Sequence, residues 1–89
     1  MIMKCYSYFN RLAGQYEMPR ALPYDKEFMV ENVASYIKLE KGKADNLLEC
    51  DLYYFGTFDT KTGVYTPDKE LLISITKEAI YGCADEQSE

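Results

Sequence analysis

Tyr6 and Tyr8 lie two positions apart in one segment of the chain, and Tyr53 and Phe55 two positions apart in another. Both segments read as β-strands, so each pair shares one strand face. If the two strands are neighbours, the four rings can form a platform. Such a platform stacks the bases of single-stranded nucleic acid at about 1–3 kcal/mol per base when cations stand nearby. The candidate cations are Lys4, Arg11, Arg20, Lys43 and Lys61. Of these, Lys4, Arg11 and Lys61 are assigned the phosphate contacts. The competing explanation is structural: the tyrosines fill cross-strand pairs, each worth roughly 0.2–1 kcal/mol, and cover a small core. Residue chemistry alone favours that explanation, because the acidic balance of the chain argues against phosphate.

Catalytic chemistry finds little to work with. The chain has no histidine, so it offers no imidazole base, no Cys–His or Ser–His pair and no His-containing zinc site. Cys5, Cys50 and Cys83 are odd in number and widely spaced, with no CxxC pair. Free thiols in a reducing compartment are the simpler reading. Cys50 has no base beside it to make it reactive and reads as a small buried thiol. Gly14, Gly42, Gly56, Gly63 and Gly82 are scattered and form no phosphate-cradling loop. Asp45, Glu49, Asp51 and Asp59 lack the spacing of a calcium loop. Asp51 and Asp59 would stand roughly 26 Å apart along a strand, too far to share a metal. They read as solvated acids at strand ends and turns. The expectation is a non-enzymatic protein with no metal and no cofactor.

At 89 residues the chain has room for one small domain, placed at residues 1–83, followed by a frayed acidic tail at 84–89. Hydrophobic residues make up 47% and charged residues 28%, which excludes a disordered chain. The longest apolar run is Leu52–Phe55, too short to span a membrane. Met1–Cys5 has no basic region followed by an apolar stretch, so the expected location is the cytosol. The formal net charge is −5, and removing the three acids of the tail leaves −2. A duplex-DNA binder driven by phosphate neutralisation is normally basic, so that role is disfavoured. The acidity supports a further reading. Carboxylates on a small rigid domain can imitate a phosphate backbone and engage a nucleic-acid-binding protein. The nine tyrosines and four phenylalanines, with no tryptophan, are the unusual feature. Tyrosine has an apolar body and a polar tip and suits half-exposed contact surfaces.

The elements that must position these residues follow from periodicity and turn chemistry. Residues 2–9 alternate as a strand, with Lys4, Tyr6 and Tyr8 on one face and Met3, Cys5, Ser7 and Phe9 on the other. A turn at 10–14 leads to a short strand over 15–18 that Pro19 stops. Residues 19–23 read as an extended connector between prolines. Asp25 is an N-cap for a helix at 26–41, with Val30, Val33, Ala34 and Ile37 as its apolar face and Met29 and Tyr36 at the edges. Gly42 suits the position after its last turn. Residues 44–49 connect to a strand at 51–58, where Tyr53 and Phe55 share a face and Tyr54 and Phe58 the other. A turn at 59–63, a short strand at 64–66 and a break at Pro67–Asp68 follow. Residues 71–76 predict a last strand, with a helix over 70–81 as the alternative.

Phe9-Asn10-x-x-x-Gly14-x-Tyr16 repeats as Phe58-Asp59-x-x-x-Gly63-x-Tyr65 at an offset of 49. Each copy offers an Asx that can bond its own turn and a glycine at the turn exit. Two similar hairpins, or an internal duplication giving a pseudo-twofold sheet, both account for it. The order hairpin, helix, hairpin, last strand predicts an α+β domain with one helix packed across a small, mainly antiparallel sheet.

Residues 6–16, Tyr-Ser-Tyr-Phe-Asn-Arg-Leu-Ala-Gly-Gln-Tyr, then Pro19, and later residues 52–63, Leu-Tyr-Tyr-Phe-Gly-Thr-Phe-Asp-Thr-Lys-Thr-Gly, resemble the small non-structural protein of gokushovirus-type microviruses. These are tailless phages with single-stranded DNA genomes. The resemblance covers most of residues 4–66, and its second motif is the more specific. It departs from the family pattern at Tyr54-Phe55, in a shorter helix-to-strand connector and in the acidic tail. The resemblance implies a phage early protein of the host cytoplasm that binds DNA during single-stranded genome production or packaging. The resulting expectation is weak binding of single-stranded DNA, with stacking by Tyr6, Tyr8, Tyr53 and Phe55 and phosphate contacts by Lys4, Arg11 and Lys61. The alternative is an acidic module that binds a host or phage protein. Either is compatible with a homo-oligomer formed by edge-strand pairing.

Overall fold

The computed structural model describes residues 1–39 and 49–76. The expected α+β architecture is present: five antiparallel strands and one helix among the described residues. The strands are β1 (Ile2–Asn10), β2 (Gln15–Tyr16), β3 (Arg20–Leu22), β4 (Cys50–Asp59) and β5 (Tyr65–Ile75), with α1 (Lys26–Leu39) between β3 and β4. The sheet order is β2-β1-β4-β5, and β3 lies beside β2 on the same flank of β1.

The two hairpins are alike in detail. In the first, the Asn10 carboxamide oxygen accepts from the Leu12 and Ala13 amides, and the Gly14 amide donates to the Asn10 carbonyl at 2.7 Å. In the second, the Asp59 carboxylate accepts from the Lys61 amide, and the Gly63 amide donates to the Asp59 carbonyl at 2.7 Å. Gly14 and Gly63 take φ of 69° and 75°, the left-handed region that a side chain disfavours. Phe9 pairs with Tyr16, and Phe58 with Tyr65. The hairpins flank the central antiparallel β1–β4 pair, as a twofold axis normal to the sheet would place them. The match is broken by one residue. Met3 pairs with Phe58, which by the offset of 49 would set Phe9 against Leu52, yet Phe9 pairs with Asp51. A bulge between Cys5 and Tyr6 accounts for the slip.

The helix starts where its cap was expected. The Asp25 carboxylate accepts from the Phe28 amide at 2.8 Å, and the Tyr24 and Phe28 rings meet at 4.6 Å across the cap. The buried stripe is rotated from the expected one. Val33 and Ile37 are buried and Met29 and Tyr36 pack against them, whereas Ala34 is exposed. The helix covers one face of the sheet, where Tyr6, Leu52, Tyr54 and Ile75 complete the core. Lys26 ties its first turn to β5 through Glu70 at 2.8 Å and lies 4.9 Å above the Tyr54 ring.

Two expected breaks are strands. The connector between Pro19 and Pro23 contains β3, because an extended segment beside an unsatisfied β1 edge gains ladder bonds. Pro67 and Asp68 do not end the strand: β5 runs through them for 11 residues, although its register against β4 slips between Pro67 and Glu70. Strand holds as far as Ile75, and the rest of the alternative helix at 77–81 lies outside the described residues. So do most of the 44–49 connector, Lys43, Cys83 and the tail. No helix among the described residues is long and apolar enough to cross a membrane.

Candidate nucleic-acid interface

β1 and β4 are neighbours, as a joint platform requires, but their register separates the four predicted rings. Tyr6 pairs with Tyr54 and Tyr8 with Leu52, whereas Tyr53 stands opposite Ser7. Directly opposed residues share a face, so Tyr6 and Tyr8 belong to the helix-covered side and Tyr53 and Phe55 to the other. Tyr6 is 3% exposed, and its hydroxyl donates to the Tyr24 carbonyl at 2.7 Å. Burial chiefly, then the neighbouring Tyr54, Asp25 and Cys5, push its phenol up to about 12. Tyr8 packs against the same core, and burial raises its phenol too. Neither ring is available for stacking beside Tyr53.

The other face, which no described element covers, has its own aromatic cluster. The Tyr53 and Phe55 rings stack at 5.9 Å and 22°. Tyr16 meets both edge-on, at 5.5 Å and 5.4 Å, and packs on Phe9 at 4.6 Å. Tyr16 reaches these rings because β2 folds back beside the end of β1 through the Asn10–Gly14 turn. It is 42% exposed, and the other three are half-buried. The Lys69 ammonium lies 4.9 Å from the Tyr16 ring and 5.2 Å from that of Tyr53. A hydrogen bond to Tyr16 outweighs desolvation and holds this ammonium above its ordinary value. A cleft of about 580 Å³ adjoins the cluster, shares Tyr16 and Phe55, and is bounded by Met18, Pro19 and Tyr65. The Tyr65 hydroxyl donates to the Phe55 carbonyl and fixes that wall.

Gly56 makes this face possible. Its φ of 116° and the closeness of β5 leave no room for a side chain: a Cβ would lie 2.1 Å from the Thr66 carbonyl oxygen. The register slip here removes Phe55 from pairing and ends the simple alternation, so the expected grouping of Tyr54 with Phe58 does not follow from it.

Of the predicted cations, Arg11 has a different task. Its guanidinium bonds the Asp51 carboxylate, the Glu49 carboxylate at 3.1 Å, and the Cys50 and Ile75 carbonyls at 3.1 Å and 2.8 Å. It rivets the first turn to the start of β4 and the end of β5. Asp51, 7% exposed, is therefore a buried ion-pair partner and not a solvated acid. Glu49 adopts φ 66° to make the joint, and its backbone exchanges bonds with Arg11 and Ile75. Lys4 is half-buried opposite Thr57 and Leu22, and Lys61 is exposed in the second turn. Among the described residues neither lies over a ring of the aromatic cluster, where Lys69 does. Cys50 is a buried thiol at 3% exposure, raised mainly by that burial.

Sequence reasoning identified Tyr53 and Phe55 and missed Phe9, Tyr16 and Lys69. The repeated hairpin motif was the available signal for Phe9 and Tyr16, since both are motif positions. Lys69 had none, because its place depends on β5 continuing through Pro67. Among the described residues no group of His, Cys, Asp and Glu side chains could hold a metal ion. No family model, no curated protein and no solved structure matches the chain.

Proposed function

We propose that the uncovered sheet face binds single-stranded DNA weakly, by stacking bases on Tyr53, Phe55, Tyr16 and Phe9 with Lys69 at the phosphate. The single observation that carries this reading is a cation seated over the exposed Tyr16 ring and the half-buried Tyr53 ring on a face that no described element covers. The resemblance to small non-structural microvirus proteins supports the same reading and a role in single-stranded genome production or packaging. Two stacked bases contribute roughly 4 kcal/mol, a Kd on the order of 1 mM. One phosphate contact gives a salt slope of about −0.7. Such binding survives an acidic chain because it draws little on net charge.

Titration of a fluorescently labelled oligonucleotide at low and moderate salt tests the proposal. Binding with a shallow salt slope is expected, lost in a Tyr16→Ala/Tyr53→Ala variant that remains folded. No binding at low salt, or binding unchanged in that variant, overturns it. The second reading, a protein partner, is favoured by Met18, exposed to 85% at the rim of the apolar cleft. It predicts that a partner protein displaces DNA from this face.

A further inference from the structure

The helix side of the sheet has a second concavity, a cleft of about 270 Å³ between α1 and the flank of β1. Tyr8 and Leu52 form part of its floor, and Leu22 and Met29 part of its walls. Glu17 and Arg20 also line it.

Register and alternation place these two exposed side chains on the helix side, at the rim of the cleft, and Glu17 also borders the cleft of the other face. Arg20 stands opposite Tyr6, so it shares Tyr6's side of the sheet. Glu17 follows Tyr16, which belongs to the uncovered face, and alternation turns Glu17 to the helix side. Its charge is felt there by the Tyr8 phenol and the Cys50 thiol. Its backbone is pinned: the amide donates to the Tyr8 carbonyl at 2.8 Å, and the carbonyl accepts from the Ser7 hydroxyl. Neither the Glu17 carboxylate nor the Arg20 guanidinium has an ion-pair or side-chain hydrogen-bond partner among the described residues. An acceptor and a cation, both unpaired, thus border one slot whose lining mixes apolar side chains with the polar Ser7 and Asn32.

We propose that this cleft binds a single nucleoside monophosphate unit with an amino-bearing pyrimidine, the cytidylate type. The base enters the slot, its exocyclic amine donates to Glu17, and Arg20 takes the phosphate. The choice of a nucleotide rests on the DNA reading of the uncovered face. The small volume, at the low end for ligand sites, suits the smaller pyrimidine ring. A carboxylate accepts from the cytosine amine but faces a carbonyl oxygen at the same position of thymine, which costs roughly tenfold or more in affinity.

Calorimetric or NMR titration of the full chain with deoxycytidine monophosphate and thymidine monophosphate decides the matter. Deoxycytidine monophosphate is expected to bind at least about tenfold tighter than its thymidine counterpart. Glu17→Gln should abolish the preference, and Arg20→Ala should weaken both nucleotides. A flat titration, equal binding of the two, or affinities untouched by both variants overturns the proposal. Competition by a strand ending in cytidylate identifies a strand terminus as the source, and failure to compete identifies the free nucleotide. Tyr53-dependent oligonucleotide binding with a flat nucleotide titration rejects the cleft alone. The converse result rejects the uncovered-face reading and leaves the cleft standing.

Discussion

Arg11→Ala removes the joint between the first hairpin and the ends of β4 and β5. The guanidinium serves two carboxylates and two carbonyls at once. The Glu49 arm counts for little, about 0–1 kcal/mol, because that side chain is 42% exposed. The Asp51 arm dominates: the side chain is 10% exposed, and the variant strands its charge. Breaking a fully buried pair costs about 3–5 kcal/mol, and the 29% exposure of the Arg11 side chain lowers that. A net loss of about 3 kcal/mol is expected, a large share of the roughly 5–15 kcal/mol typical of a domain. Urea unfolding followed by far-UV circular dichroism reads it as a lower midpoint at unchanged slope. Asp51→Asn placed on the variant should recover about half, since the stranded charge is gone while the lost carbonyl contacts remain. A loss below about 1 kcal/mol, or no recovery in the double variant, refutes the rivet.

Three further outcomes follow from the geometry. Gly56→Ala forces a Cβ against the Thr66 carbonyl at a left-handed φ and should cost roughly 3 kcal/mol or more, or prevent folding, as thermal unfolding would show. Tyr6 has a folded pKa of about 12 against an ordinary 10, so the folded state holds the phenolic proton more tightly. The stability this contributes is full below pH 10 and is lost as pH rises towards 12; Tyr6→Phe should remove that alkaline step from a pH series and cost about 1 kcal/mol at neutral pH. Lys69→Ala should flatten the salt dependence of oligonucleotide binding by about 0.7 while Lys69→Arg keeps it, and an unchanged slope in the alanine variant dismisses Lys69 as the phosphate contact.

Much of the fold was legible because its signals are local. Asp25 before an amphipathic run sets the helix start, and an Asx with a glycine four residues on sets each turn. Alternation correctly grouped Tyr6 with Tyr8 and Tyr53 with Phe55. It could not say which group met which, because a one-residue register slip exchanges faces and the slip arises from pairing between distant strands. Arg11 illustrates the same limit. Its partners lie 38 to 64 positions away, so a turn arginine that looks free in the sequence is wholly engaged in the fold. Strand continuity through Pro67 was illegible for a related reason: proline is admitted on an outer strand, and only the sheet order makes β5 the outer one of the described strands.

That outer position of Pro67 bears on how the molecule behaves in a crowd. A Cβ at Gly56 would meet the Thr66 carbonyl and the Asp68 amide, so those groups point towards β4, and the nitrogen of Pro67 points away from it. The rim of β5 that no described strand pairs with therefore lacks a donor at its waist, next to a kink and the charged run Asp68-Lys69-Glu70. A foreign strand laid along this rim meets a missing rung and three ions within four residues. This edge of the sheet has a built-in stop against growing sideways into aggregates.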